Sequence, residues 1–107
     1  MRNTKYGGRN NEKNIYFDDF FGYEFFVDEN VLIPRFETEL LVDKLLPYIN
    51  KNSRVLDLCC GSGAIGITIK LKKDCNVELS DLSQGAVAVS QKNAQKLLTN
   101  IDTSAKI

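Results

Sequence analysis

Histidine is absent from the 107-residue sequence, and cysteine is scarce, with three residues. Two of the cysteines, Cys59 and Cys60, are adjacent, which suits neither an unstrained disulfide nor the usual spacing of zinc ligands. We therefore expect no metal site. Because no disulfide framework is indicated, we also expect a reduced protein inside the cell, located in the cytoplasm.

Long hydrophobic runs are lacking too: no apolar stretch approaches 18 residues, and the first residues are polar. We therefore expect neither a membrane span nor a secretion signal. The sequence has no excess of either charge, with 14 basic and 14 acidic residues. Residues 20–50 hold six acidic against two basic residues, and residues 51–107 hold eight basic against five acidic. Neither imbalance is large enough to predict direct binding to nucleic acid or to a membrane.

The N-terminal half begins with a polar segment and continues with an aromatic one. Residues 1–14 are rich in asparagine, glycine, lysine and arginine, which predicts disorder. Aromatic residues crowd between Ile15 and Val27, where Gly22 supplies a turn, so we expect a short aromatic-rich β-hairpin. A helix should follow from Glu37 and end at Pro47. Its apolar positions are 41, 45 and 48, with 42, 46 and 49 alongside.

Strands and helices alternate after this helix. A fully buried strand over residues 53–58 comes first, then a helix over 64–71 and a second strand over 76–80. Ser83 is a suitable N-cap for a last helix over residues 84–98. The alternation predicts an α/β fold, namely the start of a Rossmann-like parallel sheet with right-handed crossovers. Residues 15–98 would form this partial domain, and residues 99–107 a frayed tail.

The stretch from residue 55 to residue 66 indicates a strand, a turn of small residues and a helix. A G-x-G-x-x-G pattern of the dinucleotide type, with an acid 20 residues beyond its first glycine, is formed by Gly61, Gly63, Gly66 and Asp81. However, Asp57 precedes the turn, and a carboxylate there would repel a pyrophosphate. It would suit S-adenosylmethionine, which carries a sulfonium and an ammonium group. We therefore favour S-adenosylmethionine over NAD, while a turn-capping role for Asp57 stays open.

Four motifs carry a family resemblance. Residues 31–39, VLIPRFETE, are similar to a "VLIPRPETE" signature, and residues 21–25, FGYEF, are similar to "FYGLEF". Residues 56–63, LDLCCGSG, are similar to "LDLGTGSG", and residues 80–83 followed by Asn93 and Ala94 are similar to "DIS…NA". In this order and spacing, over residues 20–98, the sequence resembles the release-factor glutamine N-methyltransferases.

The resemblance implies a seven-stranded class I fold that binds S-adenosylmethionine and methylates the side-chain amide of a glutamine in a peptide chain release factor. By position, the loop from Cys59 to Gly63 would hold the methionine end of the cofactor, and Asp81 its ribose hydroxyls. The predicted cofactor-binding set is Asp57, Cys59, Cys60, Gly61, Ser62, Gly63 and Asp81. Arg35, Glu37 and Thr38 fall where the mouth of the cofactor or substrate site would lie, although helix capping would also explain Glu37 and Thr38.

The sequence departs from the family pattern at several points. Cys59 stands where the family has a glycine, and Phe36 where it has a proline. The 107 residues contain neither the helical domain that the family uses to engage release factors nor the Asn-Pro-Pro-Tyr motif that holds the glutamine amide. Amide nitrogen is a poor nucleophile, so its positioning is most of the catalysis. We therefore expect a fragment that is inactive alone, and we identify no catalytic residue.

Two alternatives remain open at this point. The three glycines fit a small dinucleotide-binding module, and the shortness of the sheet fits a non-catalytic domain that a partner chain completes. Two parallel strands flanked by the predicted helices are too few elements to leave both faces and both edges of the sheet covered. We therefore expect marginal stability and self-association through an open sheet edge.

Overall fold

The computed structural model describes residues 4–6 and 16–98. Within these residues the chain forms strands and α-helices, with one short 3₁₀ helix over Leu46–Tyr48. In chain order the elements are β1 (Thr4–Tyr6), β2 (Tyr16–Phe20), β3 (Tyr23–Val27), α1 (Phe36–Leu45), β4 (Arg54–Leu58), α2 (Ala64–Lys73), β5 (Asn76–Ser80) and α3 (Gln84–Leu97). The α/β class predicted from the sequence is confirmed, with an antiparallel hairpin ahead of a parallel sheet.

The aromatic segment forms the hairpin of β2 and β3. Its turn uses Phe21 and Gly22, whose φ angles of 56° and 85° are both left-handed. β1 pairs antiparallel with β2, so the expectation of disorder over residues 1–14 does not hold for residues 4–6. The remainder of that segment, and the tail over residues 99–107, lie outside the described residues.

The second sheet consists of β4 and β5, which run parallel with Arg54 beside Asn76 and Leu58 beside Ser80. α2 connects the two strands and contacts both of them, as well as α1 and α3. Because it is enclosed on several sides, it is buried around much of its circumference, and even Thr68 and Lys70 are buried. The Lys70 ammonium donates to the Cys75 carbonyl at 2.7 Å, which ties the end of α2 to the start of β5.

A single apolar cluster connects the hairpin, the helices and the parallel sheet. Phe20 and Phe25 of the hairpin meet in an edge-to-face pair with ring centroids 6.0 Å apart. The buried members of the cluster are Phe20, Phe25, Val42, Cys60, Ala64, Ile67, Ile69, Cys75, Val77, Leu79 and Leu98. Aromatic rings bury large areas, so the hairpin adds substantially to the core of this small domain. The hairpin therefore belongs to the same folding unit as the parallel sheet.

The prediction of a fully buried first parallel strand is wrong. Leu56 and Leu58 of β4 remain 58% and 66% exposed. In a strand, successive side chains point to opposite faces, and within the described residues helices pack on the face that carries Val55 and Asp57. The first helix is similarly one-sided: Val42 is fully buried, whereas Leu41 and Leu45 are exposed.

α3 begins as predicted, because the Ser83 hydroxyl accepts a hydrogen bond from the Ala86 N–H at 3.2 Å. Lysines of this helix contact the hairpin: the Lys92 ammonium lies 4.0 Å from the Phe26 ring centre, and Lys96 pairs with Glu24 at 3.2 Å. These contacts hold α3 beside β3. Across the described part of the chain, no helix has the length and apolar character that a membrane crossing requires.

Candidate functional site

A cavity of about 370 Å³ opens beside the carboxyl ends of β4 and β5. In open α/β sheets this edge is where ligands bind, and the volume falls in the range of small-molecule sites. The lining combines backbone and polar groups with apolar side chains: Asn30, Val31, Leu32, Pro34, Thr38, Cys59, Cys60, Gly61, Ser62, Ala64, Ile65, Asp81 and Ala86.

The loop between β4 and α2 forms one wall of the cavity. The Cys60 N–H donates to the Ser80 carbonyl and the Gly63 N–H to the Cys60 carbonyl, both at 2.8 Å, so the turn is tight and tied to β5. Gly63 has a φ of 86°, and a Cβ there would lie 2.7 Å from a methyl carbon of Ile67. The left-handed conformation favours glycine at this position, and any larger residue would also require the Ile67 side chain to shift.

Cys59 is the unusual residue of this loop. It is exposed and adopts a φ of 56°, a left-handed conformation that favours glycine. The departure from the family's glycine thus places a side chain on strained backbone at the mouth of the cavity. The neighbouring Cys60 is buried, and burial raises the pKa of its thiol above the ordinary value.

The Asp81 carboxylate lies at the end of β5 and joins the two strand ends. It accepts hydrogen bonds from the Ser83 N–H at 2.9 Å and from the Gly61 N–H at 3.0 Å. These donors favour the charged form and hold the pKa of Asp81 below its ordinary value. A carboxylate has about four acceptor positions, so capacity remains for hydroxyl groups of a ligand.

The Asp57 carboxylate faces α2 and is not part of the cavity lining. It accepts a hydrogen bond from the Gly66 N–H at 3.0 Å, in the first turn of α2. Burial raises the pKa of Asp57, while the hydrogen bond from Gly66 opposes that rise and the nearby Asp81 charge adds to it. The geometry places Asp57 where it satisfies a helix terminus, the capping role that the sequence left open.

Of the three residues singled out in the signature before the first helix, only one lines the cavity. Thr38 lines the cavity, whereas Arg35 and Glu37 form an exposed ion pair with 3.3 Å between Nε and Oε1. Glu39 performs a role that the sequence did not indicate: its carboxylate accepts from the Phe21 N–H at 2.9 Å. It thereby joins α1 to the turn of the hairpin.

The second wall of the cavity was missed from the sequence. It is built from the segment that links β3 to α1 and includes Asn30, Val31, Leu32 and Pro34. An available signal was the short apolar run at residues 31–33, which is too short for a helix and ends at a proline. Such a run is easily passed over beside the polar residues of the signature, although small-molecule sites are lined mainly by apolar side chains.

Comparison with known proteins identifies the family. The methyltransferase small domain family matches residues 36–106. The chain belongs to this family. Among curated proteins, it is 54% identical over 83 residues to a release factor glutamine methyltransferase of Leptospira interrogans, covering 74% of this chain and 29% of that protein. A second protein of that name, from Clostridium acetobutylicum, is 47% identical over 92 residues, covering 83% of this chain and 32% of that protein.

The chain thus spans about 30% of the length of these curated relatives. Solved structures agree on the fold. A tRNA methyltransferase of M. jannaschii superimposes with a TM-score of 0.70 at 19% identity, over 92% of this chain and 30% of that one. TYW2 of P. horikoshii, solved in complex with MeSAdo, gives a TM-score of 0.74 at 11% identity, over 95% and 37%. The fold is that of a class I methyltransferase.

The methyltransferase small domain of this chain brings most of the predicted cofactor residues to one cavity. The residues of the predicted set that line it are Cys59, Cys60, Gly61, Ser62 and Asp81. Gly63 shapes the loop from behind, and Asp57 supports α2. The cofactor role predicted for the whole set stays a prediction, now with a geometry that separates residues at the cavity from those that support it.

Proposed function

We propose that this chain binds S-adenosylmethionine in the cavity and contributes the cofactor half of a protein-glutamine methyltransferase. The observation that carries the proposal is the meeting of the loop 59–63 with the Asp81 carboxylate, at the carboxyl ends of two parallel strands. Membership of the methyltransferase small domain family supports it independently.

The residues present fit such a ligand. Asp81 retains acceptor positions for ribose hydroxyls, and the loop supplies backbone groups for the methionine end. The link segment, with Val31 and Leu32, offers an apolar surface on the opposite wall. When bound, S-adenosylmethionine supplies an activated methyl group on its sulfonium. The chain's own part is to bind and orient that group, while the acceptor must be positioned by residues that we have not identified.

A dinucleotide is the second candidate, because Gly61, Gly63 and Gly66 match its fingerprint. Two observations weigh against it. The Asp57 carboxylate already accepts from the Gly66 N–H, one of the helix amides that a pyrophosphate would use. A second negative charge beside that carboxylate would be repelled.

The proposed methyl acceptor is the side-chain amide of a glutamine in a peptide chain release factor. The support is that the two relatives, at 54% and 47% identity, are release factor glutamine methyltransferases, together with the four motifs. Because the 107 residues contain no Asn-Pro-Pro-Tyr, we expect the isolated chain to bind cofactor without transferring a methyl group. A radiolabelled methyl transfer assay on a release factor tests this, and turnover would contradict it.

Calorimetry with S-adenosylhomocysteine and with NADH tests the binding proposal. We expect S-adenosylhomocysteine to bind and NADH not to bind. Asp81→Asn should weaken binding of S-adenosylhomocysteine roughly tenfold, because the ligand hydroxyls lose a charged acceptor. Asp43→Asn, at an exposed acid of α1, is the matched control and should bind like the wild type. Binding of NADH alone would replace the proposal with the dinucleotide alternative.

The setting we propose is the cytoplasm, where the unpaired cysteines Cys59, Cys60 and Cys75 would stay reduced. We propose no direct contact with nucleic acid or membrane. Self-association through an open edge of the parallel sheet is the remaining proposal. It is supported by the pairing of β4 and β5 with each other alone among the described residues, which leaves one edge of each strand unpaired. The exposed Leu56 and Leu58 of β4 would add apolar surface to such a contact. Sedimentation at increasing protein concentration tests it, and a monomer throughout would contradict it.

A further inference from the structure

The side-chain amide of Asn93 is a buried polar group that joins two separate parts of the fold. The residue is 0% exposed and lies on α3. Its amide oxygen accepts from the Phe26 N–H at 2.7 Å. Its amide nitrogen donates to the Phe26 carbonyl at 2.8 Å and to the Ser62 carbonyl at 2.9 Å. One side chain therefore binds both the hairpin and the cofactor loop.

The partners determine which way the amide faces. Two of them are carbonyl oxygens, which need the two N–H groups of the amide, and the third is an N–H, which needs the amide oxygen. The rotated amide would set its oxygen against a carbonyl, so this orientation is defined by chemistry. A side chain without both donors and the acceptor would leave buried backbone groups of Phe26 and Ser62 unsatisfied.

The two segments that Asn93 joins continue into the two walls of the cavity. Ser62 belongs to the loop wall. Phe26 lies at the end of β3, four residues before Asn30, where the wall formed by the link segment begins. α3 also contacts this second wall directly: a Cβ at Gly85 would lie 2.5 Å from the Asn30 side chain. The chain thus contacts α3 at Phe26 and again at Asn30, before and after residues 27–29.

We propose that Asn93 is a positioning residue that sets the separation of the two cavity walls and thereby the affinity for cofactor. This inference rests on the proposed function, since it assigns a cause for that affinity. Asn93 does not itself line the cavity, so it acts through Ser62 on one wall and through Phe26 on the other. The conformation of the loop and the position of the link segment therefore depend on the same amide.

The test compares Asn93→Ala and Asn93→Ser with Val89→Ala. Val89 is the matched control because it is equally buried on the same helix and lies outside the cavity lining. Three quantities are measured on the 107-residue chain: the urea midpoint, the Kd for S-adenosylhomocysteine, and the backbone amide signals of Gly61 and Gly63. The two glycines flank Ser62, so their signals report the loop directly.

We expect both Asn93 variants to weaken binding at least fivefold under conditions where each is fully folded, and to shift the two glycine signals. Val89→Ala should lower the urea midpoint while it leaves the affinity within twofold and the glycine signals in place. If Asn93→Ala does not fold, Asn93→Ser, which retains a hydroxyl as donor and acceptor, carries the comparison.

Wild-type affinity in a folded Asn93 variant would overturn the proposal, as would an equal loss of affinity in Val89→Ala. If the wild-type chain binds no S-adenosylhomocysteine, the proposed function fails. The glycine signals then test only whether Asn93 connects the two walls of the cavity. Unmoved signals in the Asn93 variants would overturn that link, and shifted signals would support it.

Discussion

The two faces of the parallel sheet differ in burial and in what packs against them. One face is packed under α2 and carries side chains that are buried or half-buried: Val55, Asp57, Val77 and Leu79. The other is exposed in the described structure: Arg54, Leu56, Leu58, Asn76 and Glu78. A shallow depression of about 220 Å³ lies on this second side, bordered in part by Arg54 and Glu78.

Apolar residues on the packed face stabilise the described fold because they are buried. Leu56 and Leu58, on the other face, contribute little to that stability because they stay exposed. An apolar side chain on the packed face removes its surface from water, whereas Leu56 and Leu58 leave most of theirs in contact with it. Parallel sheets in α/β proteins are ordinarily covered on both faces. Because only the packed face is buried in the described structure, substitutions there should lower the free energy of unfolding strongly, and substitutions on the exposed face only weakly.

The largest expected effect is on the packed side. Ile67→Ala removes a fully buried side chain of α2 and should lower the free energy of unfolding by about 2–5 kcal/mol. Leu56→Ala on the exposed face is the control and should change it by less than about 1 kcal/mol. Urea denaturation measures both. Comparable losses in the two variants would mean that the exposed face is covered in solution, and the comparison between faces would fail.

Gly66→Ala should have an intermediate effect. A Cβ at residue 66 would lie 2.4 Å from a methyl carbon of the buried Leu79 and 3.2 Å from the Asp57 Cβ. Overpacking of this kind costs about 1–3 kcal/mol, partly offset by the better helix propensity of alanine. Thermal unfolding provides the measurement. An unchanged midpoint of unfolding would show that Leu79 and Asp57 can make room for the Cβ, and would contradict the overpacking argument.

The smallest expected effect concerns the charge on the packed face. Burial raises the folded-state pKa of Asp57 above its ordinary value of 3.8, so the folded protein holds this proton more tightly than the unfolded chain. The stability that Asp57 contributes is therefore fully present below about pH 4 and is lost as pH rises through the raised pKa.

Asp57→Asn should remove that loss, so that stability falls less between pH 4 and neutrality than in the wild type. The asparagine oxygen can still accept from the Gly66 N–H, which preserves the contact with α2. Asp81→Asn is the contrasting variant. The pKa of Asp81 is lowered, so its contribution is present above the ordinary value and is lost only as pH falls below it. Unfolding free energies across pH 3–7 distinguish the two, and identical profiles would contradict the assignment.

Much of the fold could be predicted from local pattern. The strand over Asn76–Ser80 matches the expectation residue for residue, and Ser83 caps α3 as expected. The hairpin follows from crowded aromatics around Gly22. These features depend on neighbours in sequence, where alternation, turn chemistry and capping act over a few residues.

The site was only partly predictable, because the roles of its residues depend on contacts between distant segments. Asp57 and Asp81 are both carboxylates near the carboxyl end of an apolar strand, yet one supports a helix and the other borders the cavity. Thr38 reaches the cavity while Arg35, three residues earlier, is exposed to solvent. Asn93 matched a family motif but gave no local sign that it would join the hairpin to the cofactor loop.

The sequence by itself determined the order of elements from the hairpin onwards, the glycine loop and the family, because these depend on spacing and residue type. Only the tertiary structure decided which side of β4 is packed and which acid borders the cavity. It also decided which asparagine joins the two walls. The physical reason is that burial and hydrogen-bond partners arise from segments up to 72 residues apart, which local periodicity does not encode.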